Sequence, residues 1–177
     1  MKKNLLCIAF ICSCLSVQAQ KNVEVAPSYK EKVFYEAASA GGHNKNMSPL
    51  SLQWKLGYMF TNRFYATANL EYLLGRYKSS EHKTYYDGAN LGVGVGYNLV
   101  RTNNEWLDPC KNIDLRLGAG TTIGHTNWKY TFYEAGIMLD TGRKNSLILG
   151  AGYRYMDSHT ETIDDYKGLY VSLGLRI

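Results

Sequence analysis

Hydrophobic side chains alternate with small or polar ones along most of the chain after residue 48. The period is two residues, which predicts β-strands, because successive side chains of a strand point to opposite faces. In the segment ANLGVGVGYNL (89–99), large side chains share one parity, and glycine or asparagine fills the other. The large side chains are Leu91, Val93, Val95, Tyr97 and Leu99. A water-soluble strand carries polar side chains where this strand carries glycine, so the pattern needs another explanation.

The alternation predicts seven strands, and an eighth is expected within residues 30–42, where a short helix is the alternative. The seven segments are 48–60, 64–77, 89–99, 113–124, 128–140, 146–156 and 166–177. Eight is an even number, as in bacterial outer-membrane barrels. Each segment also has about the length of a tilted strand that crosses a bilayer, ~9–11 residues. The predicted fold is all-β, an eight-stranded antiparallel up-and-down transmembrane β-barrel.

The composition of each strand face predicts whether that face lines the outside or the inside of the barrel. The large apolar face is expected to contact lipid, and the glycine-rich polar face to line a lumen that eight strands make just wide enough for side chains. The polar face carries charges of both signs, which must pair if they are enclosed. We expect an interior polar network of Glu71, Arg116, Glu134 and Arg154. A soluble, exported barrel that binds a small apolar ligand in its lumen is an alternative.

The N-terminal residues have the composition of a secretory signal peptide. Two lysines precede the apolar stretch LLCIAFICSCLSV, and VQA before Gln20 is a small-residue cleavage site. This predicts a signal peptide over 1–19 and a single exported domain over 20–177. Lipidation at Cys14 is the alternative, since ICSC loosely resembles a lipobox. Cleavage after residue 19 leaves Cys110 as the one cysteine, so no internal disulfide is expected.

The last segment of the chain resembles the C-terminal assembly signal of small outer-membrane barrels. KGLYVSLGLRI has Gly168, Val171 and Leu173 at the matching places, and Ile177 replaces the usual aromatic residue. With its signal and eight amphipathic segments, the chain resembles barrels of the OmpA-transmembrane and OmpX type, and the cleavage site resembles those of Bacteroidetes. The resemblance implies a monomer in a Gram-negative outer membrane, in contact with lipid and lipopolysaccharide. It does not specify a function, because members of such families differ in function.

Both chain ends are expected on the periplasmic side, which assigns a side to each connection. The predicted outward loops are 43–47, 78–85, 125–127 and 157–165, and the predicted periplasmic turns are 61–63, 100–112 and 140–145. Aromatic side chains near the ends of the strands are expected to form the two interfacial girdles of a membrane barrel. The girdle residues are Tyr58, Phe60, Phe64, Trp128, Tyr153 and Tyr155.

The four histidines, one in each predicted outward loop, are the candidates for a metal site at the barrel mouth. They are His43, His82, His125 and His159. None is spaced i,i+2 or i,i+4 from another, so we expect solvated side chains and neither a metal nor another cofactor. The last loop carries four acidic residues, but their spacing does not match an EF-hand. A solvated loop or a contact with a protein partner is expected there.

A catalytic motif is incomplete in this sequence. The outer-membrane barrels that deacylate lipid A resemble one another in an H-x-S-N motif. HTNW, from His125, lacks the serine, and Thr126 lies one place early. Adjacent residues of a strand point to opposite faces, so this pair would not bring a base to a nucleophile.

The charge of the chain excludes one further class of partner. Of its 20 lysines and arginines, two lie in the signal peptide, which leaves 18 against 15 acidic residues. The basic residues are dispersed along the sequence, so no nucleic-acid partner is expected.

We predict a non-enzymatic outer-membrane barrel with a structural or surface-interaction role through its loops. A lipid-modifying enzyme is the other alternative, beside the soluble barrel.

Overall fold

Eight β-strands account for most of the described structure, a computed structural model that covers residues 32–61, 63–78, 83–101, 112–141 and 146–177. The strands are β1 (Val33–Gly42), β2 (Met47–Met59), β3 (Phe64–Lys78), β4 (Lys83–Arg101), β5 (Asn112–Thr122), β6 (Tyr130–Asp140), β7 (Ser146–Ser158) and β8 (Tyr166–Arg176). None of these ranges contains a helix with the length and apolarity that a membrane crossing requires. The predicted signal peptide, His82 and Cys110 lie outside the described residues.

The strands form one closed antiparallel barrel. Each strand pairs with the next along the chain, and β8 pairs with β1. The predicted eight-stranded barrel is therefore confirmed. The segment that allowed either a strand or a helix is a strand, because β1 pairs on both sides, with Val33 opposite Tyr58 of β2 and Glu36 opposite Arg176 of β8. Closure leaves no strand edge unpaired.

The connections lie at two ends of the barrel. The mouth end holds loops 43–46, 123–129 and 159–165 and the passage from β3 to β4. At the opposite, terminal end β1 begins and β8 ends. The strands β3 and β4 extend further toward the mouth than predicted, to the pair Lys78–Lys83, because the β-favouring residues Thr84 and Tyr85 continue the ladder. The predicted loop 125–127 is also longer, and Gly124 turns the chain there with a φ of 75°.

The outer and inner faces of the barrel have opposite chemistry. The outer face carries a belt of exposed apolar side chains, and Trp54 in its middle is 50 % exposed. The belt includes Leu50, Leu52, Leu56, Leu70, Leu74, Leu91, Val93, Leu117, Ile137, Leu149, Val171, Leu173 and Leu175. The inner face is largely polar and charged, with Glu36 only 4 % exposed. A water-soluble protein has the reverse arrangement.

The inward glycines make room for aromatic rings inside the barrel. The Tyr65 ring lies directly against Gly96, where a Cβ atom would clash with it, and the Phe34 ring lies against Gly57 in the same way. The Phe132 ring occupies the space over Gly92 and Gly120. Glycine thus alternates with leucine and valine because the narrow lumen holds large side chains of the neighbouring strands above these glycines.

Candidate functional site

Two groups of charged side chains fill the lumen, and the first lies toward the terminal end. Arg116 of β5 donates two hydrogen bonds to the Glu36 carboxylate of β1, with nitrogen–oxygen distances of 2.7 and 2.9 Å. The Nε atom of Arg116 donates to the Tyr65 hydroxyl at 2.6 Å, and that hydroxyl donates to Asp114 at 2.9 Å. Bidentate arginine–carboxylate pairs are among the stronger hydrogen-bonded pairs in proteins. This pair joins strands from opposite sides of the barrel.

Arg176 of β8 enters the same group. Its Nη1 atom donates to Asp140 at 2.6 Å, and Nη2 lies 3.4 Å from Asp114 Oδ2 and 3.5 Å from Glu36 Oε2. The Lys55 ammonium of β2 lies 3.9 Å from Glu36 Oε1. We call these residues the terminal-end cluster: Glu36, Lys55, Tyr65, Asp114, Arg116, Asp140 and Arg176.

The second group surrounds Arg154 of β7, nearer the middle of the barrel. Its Nη1 atom donates to Glu71 at 2.6 Å, and its Nε atom donates to Glu134 at 3.0 Å. The guanidinium carbon lies 4.9 Å from the centre of the Phe132 ring and 5.5 Å from that of Tyr170. Two carboxylates and two ring faces therefore stabilise a charge that is buried away from water.

Amide side chains complete the hydrogen bonding of this second group. Gln53 donates to Glu71 at 3.0 Å, and Asn90 donates to the other oxygen of the same carboxylate at 3.3 Å. The void among these side chains has no room for a water molecule. We call this group the central cluster: Gln53, Glu71, Asn90, Glu134 and Arg154.

The four residues predicted to form one interior network lie in two clusters. Glu71, Glu134 and Arg154 come together in the central cluster, whereas Arg116 belongs to the terminal-end cluster, where Glu36 is its partner. The prediction omitted Glu36, because β1 could not be assigned a face while a helix remained an alternative. The inward residues Lys55, Asp140 and Arg176 were also omitted, although the alternation of their strands places them on the polar face.

The mouth end of the lumen is closed by apolar and aromatic side chains. We call this set the apolar plug: Met47, Leu73, Trp128, Tyr130, Phe132, Met156, Ile163 and Tyr166. The Trp128 and Tyr130 rings lie 4.4 Å apart, and the Trp128 indole donates to the Ser158 hydroxyl at 3.2 Å. The lumen therefore changes from charged near its centre to apolar at its mouth.

The placement of Trp128 in an outer girdle is wrong. Its side chain is 0 % exposed and lies within the plug. The parity of the segment explains the error, since Trp128 is an even number of residues from Glu134 and Asp140, both of which point inward. Tyr130 and Phe132 share this parity and are buried with it.

The other proposed girdle residues lie on the outer surface. Tyr58, Phe60 and Phe64 are exposed near the terminal end, where their rings contact one another at centroid distances of 5.3 and 6.3 Å. Toward the mouth, Tyr153 is exposed, and Tyr155 is half-buried against the Tyr133 ring at 6.4 Å.

The loop 159–165 folds across the mouth. Ile163 is buried in the plug, and Asp164 accepts a hydrogen bond from the Tyr77 hydroxyl of β3 at 2.7 Å. Asp165 accepts from the Ser158 backbone N–H at 3.0 Å and from the Tyr155 hydroxyl at 3.1 Å. The Ser158 hydrogen bond, followed by that of Tyr155, holds the pKa of Asp165 below its usual value. These two carboxylates fasten the loop to the barrel.

The histidines inside the described ranges are dispersed around the mouth. The His43 ring lies 2.8 Å from the Ser48 hydroxyl, His159 lies 3.9 Å from an Asp157 oxygen, and His125 is exposed. Within those ranges no three histidine, cysteine, aspartate or glutamate side chains are close enough to hold a metal ion. Beside His125, the Thr126 hydroxyl donates to the backbone carbonyl of Trp128 at 3.3 Å.

The chain was also compared with known proteins. It matches no protein-family model, and no curated protein is significantly similar to it in sequence. Its function therefore has to be inferred from the geometry and chemistry of the barrel itself.

Proposed function

We propose that this chain is an integral outer-membrane β-barrel of a Gram-negative bacterium, similar to the OmpA-transmembrane and OmpX type and of Bacteroidetes origin. Its role is structural or surface-interactive, through the mouth and its loops, and it involves no catalysis. The observation that carries the proposal is the reversed polarity of the barrel, with apolar side chains outside and ion pairs inside.

The outer belt supports a lipid environment. Residues such as Leu52, Trp54 and Val93 are half or more exposed, and each buried apolar Å² contributes about 25 cal/mol when it leaves water. A continuous belt of this kind is far larger than the apolar patches that soluble monomers expose. Closure of the barrel also satisfies the backbone hydrogen bonds within the sheet, which a bilayer requires.

The filled lumen supports a role other than transport. The central and terminal-end clusters occupy the interior, and the apolar plug covers them at the mouth. A carrier of apolar ligands needs an apolar cavity, whereas this interior is charged. The parts left for recognition are the mouth, its loops and the outer rim.

Fractionation of the native bacterium, combined with gel mobility, tests this function. We expect the protein in the outer-membrane fraction, with an unboiled band that migrates differently from the boiled one in SDS, because a closed barrel resists SDS until it is heated. A soluble periplasmic protein without a mobility shift would contradict the proposal and favour the ligand-binding alternative.

A surface-interaction role predicts that the mouth loop 159–165 takes part in partner binding. Deletion of the loop residues Thr160–Thr162 should leave the mobility shift intact while reducing capture of any surface partner that cross-links to the mouth. If a bound partner is captured equally well by both forms, the loop is not the recognition element.

A further inference from the structure

Strand register brings together basic residues that are far apart in the sequence. Arg76 and Lys78 lie on the outward face of β3, beyond Leu74 in the direction of the mouth. Lys83 of β4 is the register partner of Lys78. Lys45 lies in the adjacent loop, where the backbone N–H of Lys78 donates to the Asn46 carbonyl at 2.7 Å. We call Lys45, Arg76 and Lys78 the rim cluster.

The positive charge of this cluster is not neutralised by the described part of the protein. There, the side chains of Lys45, Arg76 and Lys78 make neither an ion pair nor a hydrogen bond, whereas the Lys167 ammonium lies 4.0 Å from Asp165. Each basic residue of the two lumen clusters lies within 3.9 Å of a carboxylate. The arrangement therefore calls for an external anion.

The surroundings of the rim cluster identify the class of anion. Tyr85, 74 % exposed, is the register partner of Arg76, and Ser48 is the partner on the other side. Leu74 and Tyr72 continue the same outward column into the apolar belt. Asp87, the register partner of Leu74, lies on the outward parity of β4 at the next level down. A ligand that fits the β3 column has a phosphate at the level of Arg76 and hydrocarbon along Leu74 and Tyr72, with Tyr85 at the interface.

We propose that the rim cluster binds the phosphate of a phosphorylated glycolipid of the outer leaflet, of the lipid A class, with its acyl chains along the outward column of β3. This inference rests on the proposed function, because it places the mouth end at the outer leaflet. Arg76 supplies a planar guanidinium that can donate two hydrogen bonds to a phosphate, and the lysines add charge. The continuity of the cluster with the belt favours a lipid over a free anion.

The test compares two double variants that each remove two positive charges from the outer rim at the mouth. R76Q/K78Q removes two of the three rim-cluster residues, and the matched control K129Q/K167Q removes Lys129 and Lys167 near β6 and β8. Both are purified in detergent, checked for the heat-dependent mobility shift, and titrated with lipid A while native mass spectrometry records the bound fraction. Lipid A without phosphates and inorganic phosphate are titrated in parallel.

We expect R76Q/K78Q to weaken lipid A binding by about tenfold or more, since each basic residue near an anionic lipid surface contributes about fivefold. The control K129Q/K167Q should change lipid A binding less than threefold. Lipid A without phosphates should bind the parent protein as weakly as phosphorylated lipid A binds R76Q/K78Q.

Equal losses in the two double variants would overturn the proposal, because they indicate attraction to net charge alone. Binding of inorganic phosphate as tight as that of lipid A would also overturn it and indicate a free-anion site. Either result leaves the outer-membrane assignment intact if the mobility shift persists. A protein without that shift contradicts the proposed function instead, so the two failures are distinguishable.

Discussion

Glu36 and Arg116 face each other across the lumen, from strands on opposite sides of the barrel, and form two parallel hydrogen bonds of 2.7 and 2.9 Å. Glu36 also lies 3.5 Å from Arg176 of the neighbouring strand β8. One carboxylate therefore links the pair of strands that closes the barrel to the strand opposite. Loss of the Glu36 carboxylate should therefore weaken both the contact between β1 and β8 and the ion pair with Arg116 across the lumen.

The Glu36→Gln substitution tests how much the Glu36–Arg116 pair stabilises the barrel. Removal of Glu36 leaves the buried Arg116 charge with only the more distant Asp114 carboxylate, at 3.9 Å, and breaking a buried pair costs about 3–5 kcal/mol in measured cases. We expect a loss of that size in the free energy of unfolding in detergent, measured with urea and followed by gel mobility. The exposed Asp157→Asn is the control and should change stability by less than about 0.5 kcal/mol. Equal effects of the two substitutions would show that Glu36 contributes no more than a surface carboxylate.

The contact between Gly96 and Tyr65 gives a second prediction. Gly96→Ala places a methyl group into the Tyr65 ring, and that ring cannot move freely because Arg116 and Asp114 both bond its hydroxyl. Overpacking of this kind costs about 1–3 kcal/mol, which urea unfolding should reveal. Gly41→Ala is the matched control, since its added Cβ meets only ordinary contacts at 3.6 Å or more. A tolerated Gly96→Ala would mean that the ring has space elsewhere.

The belt gives a third prediction, which separates a membrane barrel from a soluble one. Val93→Arg introduces a charge at an outward position that is 66 % exposed. In a bilayer this costs about 2–4 kcal/mol near the midplane, so the folded, heat-modifiable fraction in lipid vesicles should fall. Glu161→Arg, which places the same side chain in the exposed mouth loop, is the control and should fold normally. A soluble barrel would tolerate Val93→Arg, and an unchanged folded fraction contradicts the lipid-facing belt.

Asp165 gives a pH dependence for the mouth loop. The Ser158 N–H and the Tyr155 hydroxyl bond its ionised form and lower its pKa in the folded protein. The contribution of Asp165 to the stability of the mouth loop is therefore complete above the pKa of an unfolded aspartate. It is lost as the pH falls through the lowered pKa of the folded protein. NMR of the Ser158 amide should follow that titration, with faster hydrogen exchange at the acidic end. Asp165→Asn should abolish the transition, and a transition that persists in that variant belongs to another group.

The fold was largely predictable from the alternation of large and small side chains. In β2, β3, β7 and β8 burial alternates almost residue by residue, and parity assigns most side chains to a face. Runs such as Leu147–Leu149 interrupt the alternation of large and small residues, because Ile148 lies on the inner face. β1 was ambiguous because small residues such as Ala37 and Ala38 suit a helix as well as a strand. The pairing of β1 with both β2 and β8 shows that it is a strand, and such pairing is a long-range property that the local sequence does not contain.

The site was less predictable, because it depends on which strands face one another. The Glu134–Arg154 pair could be expected from adjacent strands, but Arg116 reaches Glu36 across the lumen, over 80 residues of sequence. Trp128 was misplaced because aromatic residues occupy both outer girdles and inner plugs, and its parity with Glu134 was the signal that distinguishes them. The rim cluster combines Lys45 with Arg76, which look dispersed until the strand register is known.

The most direct test of the barrel's orientation uses its own tryptophans. Trp54 lies outward in the middle of the belt, and Trp128 is buried in the plug. One variant keeps only Trp54 (Trp106→Phe, Trp128→Phe), and a matched one keeps only Trp128 (Trp54→Phe, Trp106→Phe). Both are refolded into vesicles whose acyl chains carry bromine, a contact quencher of indole fluorescence. We expect strong quenching of Trp54 and little of Trp128, whereas an unquenched Trp54, or equal quenching of both, would contradict a barrel with its apolar face in lipid.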